Sequence, residues 1–330
     1  MSRLRITPTL AVEIQDSLRK FWRSEKGASF MQAWLELAHR RGHPRFIWAT
    51  ADAGSIEPNE SDHANARAEW ETITLAGART YLISEDMATL AEHASATMPI
   101  QPIHESDLPT PSGIAFYERG VKAMDLRGGI MVISAFAWRR VVENGKHCVF
   151  WSYYSDPLDE RLPAKDRSEY LRVNAPLMFT GEDLEVFGVE PLKPDAIAGW
   201  APGATPEAAA STVRYMRTMP VALWSMMRDY AECTTTPIER AARRRLEKAQ
   251  RPSSVRPEVI VVKLRRQRHE TEHPQPGSVE WSRRWIVNGH WRRQWYATLG
   301  MHRAKWIAPF VKGPAGKPLV VSRKVHHLVR

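Results

Sequence analysis

The chain has 330 residues, of which 43% are hydrophobic and 25% are charged, and its formal net charge is +10. These proportions are ordinary for a globular protein in water, and the length predicts two or three domains. Two cysteines exclude a disulfide framework and a four-thiolate zinc site. No signal peptide is recognisable, and no apolar run approaches the about 18 residues of a membrane span, so we expect a cytoplasmic protein without membrane contact.

The N-terminal third of the chain has the pattern of an α/β region. Thr7-Pro8 predicts a helix start, because the threonine can cap the helix and the proline fits its first turn. Polar and acidic residues predict an exposed loop over Asp52–Asp62. The other predicted elements are a helix that ends at Gly42, a strand over residues 45–49, a helix over Ala64–Gly77, a strand over Tyr81–Ile83 and a helix that begins at Ser84.

The middle third predicts antiparallel β structure. Two apolar runs, Ile130–Val142 and Lys146–Tyr154, are separated by Asn144-Gly145. Asn-Gly is a strong hairpin signal because both residues tolerate positive φ, so we predict a hairpin here. Further strands are predicted at Gly113–Tyr117, Leu177–Phe179 and Leu184–Val189.

A helical segment is predicted over residues 205–251. Its first helix would run to Ala231, with Pro220 expected to kink or split it. Its second helix is basic and would begin at the capping-box pattern Thr236-Pro237-Ile238-Glu239. The sequence therefore predicts an α+β fold: an α+β domain with a central antiparallel sheet over residues 1–200, this helical connector, and a small basic β module over residues 258–330.

The positive charge is concentrated at the C-terminal end of the chain. Residues 241–330 contain 21 Lys and Arg against 5 Asp and Glu, whereas residues 1–240 contain 26 against 32. Aromatic side chains are interleaved with these cations. If Trp281–Tyr296 is one strand, Trp285 and Trp291 share a core-facing side, and arginine and histidine face outward.

A folded, basic and aromatic surface of this kind is typical of proteins that bind nucleic acid. Cations neutralise phosphates, and indole rings stack on bases. The sequence does not distinguish DNA from RNA. Trp295 and Trp306 are predicted to be exposed stacking side chains. The predicted phosphate contacts are Arg243, Arg244, Arg265, Arg266, Arg284, Arg292, Arg293 and Arg303.

Two alternatives for the function stay open. The first is a nuclease-type toxin or phage-defence effector, in which His290 or His302 transfers protons and neighbouring arginines stabilise negative charge. The second is an adaptor whose basic tail binds an acidic protein partner. Gly313–Lys317 lacks the spacing of a phosphate-binding loop, and no metal-ligand or cofactor motif is present, so we expect neither a metal nor a cofactor.

Three C-terminal segments carry a resemblance to a known family: Gly289–Tyr296, His302-Arg303 and Trp306–Pro314. With a looser similarity at Asp107–Gly113, they resemble an uncharacterised family encoded in actinobacterial genomes, phages and integrated mobile elements. No activity is established for that family, so the resemblance implies no catalytic residues. It implies a context in which replication, regulation, toxin–antitoxin and phage-defence roles are common.

Overall fold

The structure is a computed structural model, and it divides the chain into two compact units. One unit comprises Met1–Ala96 with Ile100–Leu264, and the other comprises Thr97–Pro99 with Arg265–Arg330. The helical segment predicted over residues 205–251 falls within the first unit. The residues that the structure describes are 5–40, 60–124, 130–143, 145–161, 175–189, 206–249, 255–265, 282–307, 310–312 and 319–320.

The described residues form α-helices and β-strands, as the α+β prediction requires. The helices are α1 Pro8–Trp22, α2 Glu25–Arg40, α3 Glu60–Gly77, α4 Glu85–Thr97, α5 Pro206–Asp229 and α6 Arg240–Ala249. The strands are β1 Arg79–Ile83, β2 Ser112–Met124, β3 Ile130–Glu143, β4 Lys146–Ser155, β5 Met178–Val186, β6 Ala231–Pro237, β7 Glu258–Leu264, β8 Arg284–Val287, β9 His290–Tyr296, β10 Met301–Ile307, β11 Phe310–Lys312 and β12 Leu319–Val320. No helix in these parts of the chain is long and apolar enough to cross a membrane.

One seven-stranded sheet forms the centre of the first unit, in the order β5-β4-β3-β2-β1-β7-β6. Strand β1 is parallel to both β2 and β7, and the other neighbouring strands are antiparallel. The predicted α/β and antiparallel regions therefore share one sheet. Strand β7, which we expected to open the C-terminal module, lies inside this sheet, so the two units separate after Leu264 and not at residue 258.

The predicted local signals at α1 and at the β3–β4 hairpin are confirmed. The Thr7 side chain accepts a hydrogen bond from the Leu10 N–H at 3.3 Å, which caps α1. Glu143 pairs with Lys146 across the hairpin, and Gly145 has a φ of +73°, a conformation that residues with a side chain rarely adopt. The predicted strand over residues 45–49 and most of the Asp52–Asp62 loop lie outside the described residues; α3 begins at Glu60.

Helix α5 packs an aromatic side chain on one face of the central sheet. Trp224 is buried, and its ring centroid is 6.2 Å from that of Phe136, 5.5 Å from Trp138 and 6.1 Å from Trp151. Of the two predicted effects of Pro220, a split of the helix is wrong, because Pro206–Asp229 forms one continuous helix with Pro220 inside it, and a kink stays a prediction. Packing of this apolar surface compensates for the hydrogen bond that proline cannot donate.

The predicted capping box at residues 236–239 is not formed. Strand β6 starts at Ala231 and continues to Pro237, which pairs with Glu258 of β7. Helix α6 begins only at Arg240. Pairing with β7 therefore holds Thr236 in an extended conformation and overrides the local helix signal.

A buried carboxylate lies between α3 and the opposite face of the sheet. Glu71 accepts hydrogen bonds through Oε2 from the hydroxyl of Ser152 at 3.0 Å and from that of Tyr154. Burial raises the pKa of Glu71 to about 7, although these hydrogen bonds and the charges of Arg67 and Arg139 offset part of the effect. The same burial lowers the pKa of Arg67 to about 10, with Glu71 acting in the opposite direction.

Candidate nucleic-acid interface

The basic C-terminal segment contains a two-stranded antiparallel sheet made of β9 and β10, residues 290–307, which we call the ribbon. Its strands are joined by a tight turn in which the Leu299 N–H donates to the Tyr296 carbonyl at 3.1 Å. Gly300 follows with a φ of +61°, which glycine adopts without a steric cost. The ribbon is therefore a local structure whose cross-strand partners are set by this turn.

Strands β8 and β9 are separate, so the predicted single strand over Trp281–Tyr296 is wrong. Asn288 and Gly289 interrupt it, and β8 pairs with β11 and β12 in a three-stranded sheet. Alternation cannot be continued across such a break, so strand periodicity no longer places Trp285 and Trp291 on a common face.

One face of the ribbon is cationic. Directly opposed residues in an antiparallel pair share a face, and here Arg292 lies opposite Lys305 and Gln294 lies opposite Arg303. His290 lies on this face at the open end of β9. The Arg292 guanidinium donates to Oε1 of Gln294, and the Gln294 amide donates to the Trp295 carbonyl at 3.0 Å. We call this surface the cationic face.

The other face of the ribbon is mostly aromatic. Trp291 lies opposite Trp306, with the ring centroids 5.3 Å apart. Trp306 is only 4% exposed, so the prediction of an exposed Trp306 is wrong, because its ring packs against its cross-strand partner. Trp295 is 50% exposed, which confirms its predicted exposure, and its ring centroid is 4.9 Å from that of His302.

No acidic residue accompanies the cations of the ribbon in sequence. After Glu280 the chain contains neither aspartate nor glutamate. Residues 281–330 therefore supply no aspartate or glutamate side chain that could neutralise the cations of the cationic face. The positive potentials of these cations add together at the cationic face, which favours the binding of anionic ligands.

Helix α6 carries a second set of cations, in the first unit. Ala242 and Leu246 are buried, so the opposite side of the helix faces solvent. Arg243 forms an ion pair with Glu247 at 3.2 Å, and Arg245 forms one with Glu13 of α1 at 2.6 Å.

Three exposed cations of α6 have no ion pair among the described residues. They are spaced four residues apart and so follow one line along the helix: Arg240, Arg244 and Lys248. We call them the helical stripe. The sequence prediction included Arg244 but missed Arg240 and Lys248, which the spacing of four residues could have identified.

The remaining predicted arginines are dispersed. Arg265 is exposed after the end of β7, and Arg293 is exposed on the aromatic face of the ribbon. Arg284 lies in β8, and its side chain is not described. Arg266 lies outside the described residues.

The two candidate catalytic histidines do not converge. His290 lies opposite Ile307 on the cationic face, whereas His302 lies opposite Trp295 on the aromatic face. Five residue pairs separate them along β10, which corresponds to about 17 Å. The ribbon therefore forms no two-histidine acid–base site, and the described residues contain no group of three or more His, Cys, Asp or Glu side chains suited to a metal.

Comparisons with known proteins add little to this description. No protein-family model matches the chain, and no curated protein sequence matches it. One solved structure, "Crystal structure of AcrVA2", is similar over 92% of this chain and 99% of that chain, with 14% sequence identity and a TM-score of 0.40. A TM-score this low does not establish a shared fold, so the candidate interface depends on the residues of this chain.

Proposed function

We propose that this protein binds nucleic acid through the cationic face of the ribbon, in a replication, regulation or defence role of a phage or mobile element. One observation carries the binding proposal. The ribbon brings Arg292, Arg303 and Lys305 to one face, while residues 281–330 contain neither aspartate nor glutamate. The phage or mobile-element context comes from the resemblance of the C-terminal motif.

The pairing within the ribbon favours an anionic ligand. Like charges directly opposite each other destabilise a sheet, and Arg292 and Lys305 are such a pair. A phosphate between them would remove this repulsion and release counterions. The hydrogen bond from Arg292 to Gln294 also restrains the guanidinium, which reduces the entropy lost when a ligand binds.

The helical stripe supports the proposal independently. Its members recur about every 6 Å along α6, since four helical residues rise by that distance. Cations four residues apart repel each other in the absence of an anion. The chain therefore has two surfaces on which several cations lie at regular spacing.

Salt dependence of binding tests the proposal. Fluorescence anisotropy with labelled random oligonucleotides should show an affinity that falls tenfold or more between about 50 and about 200 mM salt. Replacement of Arg292, Arg303 and Lys305 by glutamine should make the slope of log affinity against log salt shallower by about two. A salt-independent affinity would contradict the proposal.

A control with the same change in net charge separates this surface from general electrostatics. Arg5, Arg119 and Arg140 are exposed cations of the first unit, and each pairs with a carboxylate. Their triple replacement by glutamine should leave the slope almost unchanged. Equal effects of the two triple variants would show that the ribbon is not the binding surface.

An acidic protein partner is the competing outcome. It would be indicated if a tagged protein retained a partner after nuclease digestion and if oligonucleotides failed to displace that partner. Nuclease activity has no support from the geometry, because His290 and His302 lie on opposite faces of the ribbon.

A further inference from the structure

Trp295 differs from the other two tryptophans of the ribbon. Trp291 and Trp306 pack against each other, whereas half of the Trp295 surface is exposed. An exposed indole does not contribute the free energy of folding that burial of a large apolar side chain would contribute. The exposed half of the indole surface is accessible to a ligand.

The neighbours of Trp295 suit a nucleotide. His302 contacts the indole edge-to-face at an interplanar angle of 60°, and so supports one side of it. The next residue pair on the same face is Arg293 opposite Ala304. Because Ala304 has only a methyl group, the exposed guanidinium of Arg293 is the main polar group there. It lies about 7 Å along the strand from Trp295, a distance that suits the phosphate of a nucleotide stacked on the indole.

We infer that the ligand of this ribbon is single-stranded nucleic acid, with one unpaired base stacked on Trp295 and the adjoining phosphate bound by Arg293. This inference rests on the proposed function. The cationic face can neutralise phosphates of single and double strands alike. In a duplex both faces of each base are covered by its neighbours, so only an unpaired base can stack on Trp295 without first being unstacked.

Anisotropy titrations with three probes test the inference. The probes are a labelled oligothymidylate of about 16 nucleotides, an oligouridylate of the same length and a DNA duplex of the same length. Wild-type protein should bind both single strands more tightly than the duplex. Trp295→Ala should weaken single-strand binding about tenfold and duplex binding less than about twofold, and Trp295→Phe should restore most of the loss. The oligothymidylate and oligouridylate arms show whether the ribose 2′-hydroxyl matters.

Leu299→Ala provides a matched control. Leu299 is 47% exposed in the turn of the same ribbon but has no ring, so its replacement should leave all three affinities unchanged. Wild-type protein that binds no probe would contradict the proposed function as a whole. This inference would be overturned if the wild-type protein bound the duplex more tightly than the single strands. It would also be overturned if Trp295→Ala had no effect or had the same effect on all probes. In both cases salt-dependent binding would still support the proposed function.

Discussion

Trp291 and Trp306 face each other across the ribbon with an interplanar angle of 59°, and this pair forms the packed part of the aromatic face. Trp306→Ala should therefore destabilise the ribbon by about 3 kcal/mol or more, since it removes a buried indole. Hydrogen exchange of peptides that cover residues 290–307 would measure the loss, because hydrogen exchange reports local opening as well as global unfolding.

The matched control for that variant is Trp295→Ala on the same ribbon. Trp295 is half exposed, so its replacement should change amide protection by less than about 1 kcal/mol. Equal destabilisation by the two variants would mean that Trp295 also serves the packing of the ribbon, and its proposed role in binding would lose its basis.

Stability should depend on pH through Glu71. Its pKa in the folded protein is about 7, above the ordinary value of 4.5, so the folded state binds the proton more tightly than the unfolded state does. The contribution of Glu71 is then most favourable at low pH, and it is lost as the pH rises to about 7. The pKa difference corresponds to about 3 kcal/mol.

Glu71→Gln isolates this effect from other titrating groups. Glutamine resembles the protonated carboxyl and can still accept from Ser152 and Tyr154. In urea unfolding, the variant should match wild type near pH 4 and exceed its stability by up to about 3 kcal/mol near pH 8.5. A variant that is less stable than wild type near pH 8.5, with the difference vanishing at low pH, would show that Glu71 is charged in the fold and that its attraction to Arg67 exceeds the cost of burial.

The features that the sequence predicts correctly are those that a few neighbouring residues determine. The Thr7 cap and the turn at Gly145 depend on local hydrogen bonds and on one permissive φ. The chain order of the helices and strands follows from the same kind of local pattern, which is why the α+β fold was predicted.

The features that the sequence does not predict depend on distant partners. Nothing near β7 indicates that it pairs with β1, about 180 residues earlier in the chain, and this pairing moves the boundary between the units. The strand register of the ribbon is likewise not predicted by the sequence. Trp295 and Trp306 occur in similar basic, aromatic surroundings, but the register pairs Trp306 with Trp291 and Trp295 with His302, and only Trp306 is buried.

A buried ion pair joins α5 to the edge of the central sheet. Arg217 donates to the Glu185 carboxylate, and both side chains are about 10% exposed. Arg217→Met should reduce the free energy of unfolding by about 3 to 5 kcal/mol, because it leaves a buried carboxylate without this counterion. Chemical denaturation measures the loss.

The double variant Arg217→Met/Glu185→Leu should recover most of that stability. Two apolar side chains of similar size need neither a counterion nor water, so the buried site no longer carries an uncompensated charge. A double variant as unstable as the single one would indicate that the other contacts of these side chains, and not their charges, hold α5 against the sheet.

The helical stripe should contribute to nucleic-acid binding separately from the ribbon. Arg240→Gln/Arg244→Gln should weaken binding and lower the salt slope by about one to two, according to how many phosphates these side chains contact. Arg243→Gln/Arg245→Gln removes the same charge from the same helix, but both of its arginines already pair with carboxylates. This second variant should therefore have the smaller effect on the slope. Equal lowering of the slope by the two variants would show that the ion pairs of Arg243 and Arg245 do not exclude phosphate and that α6 binds through its whole solvent-facing side. If neither variant changes the slope, the ribbon binds nucleic acid without α6.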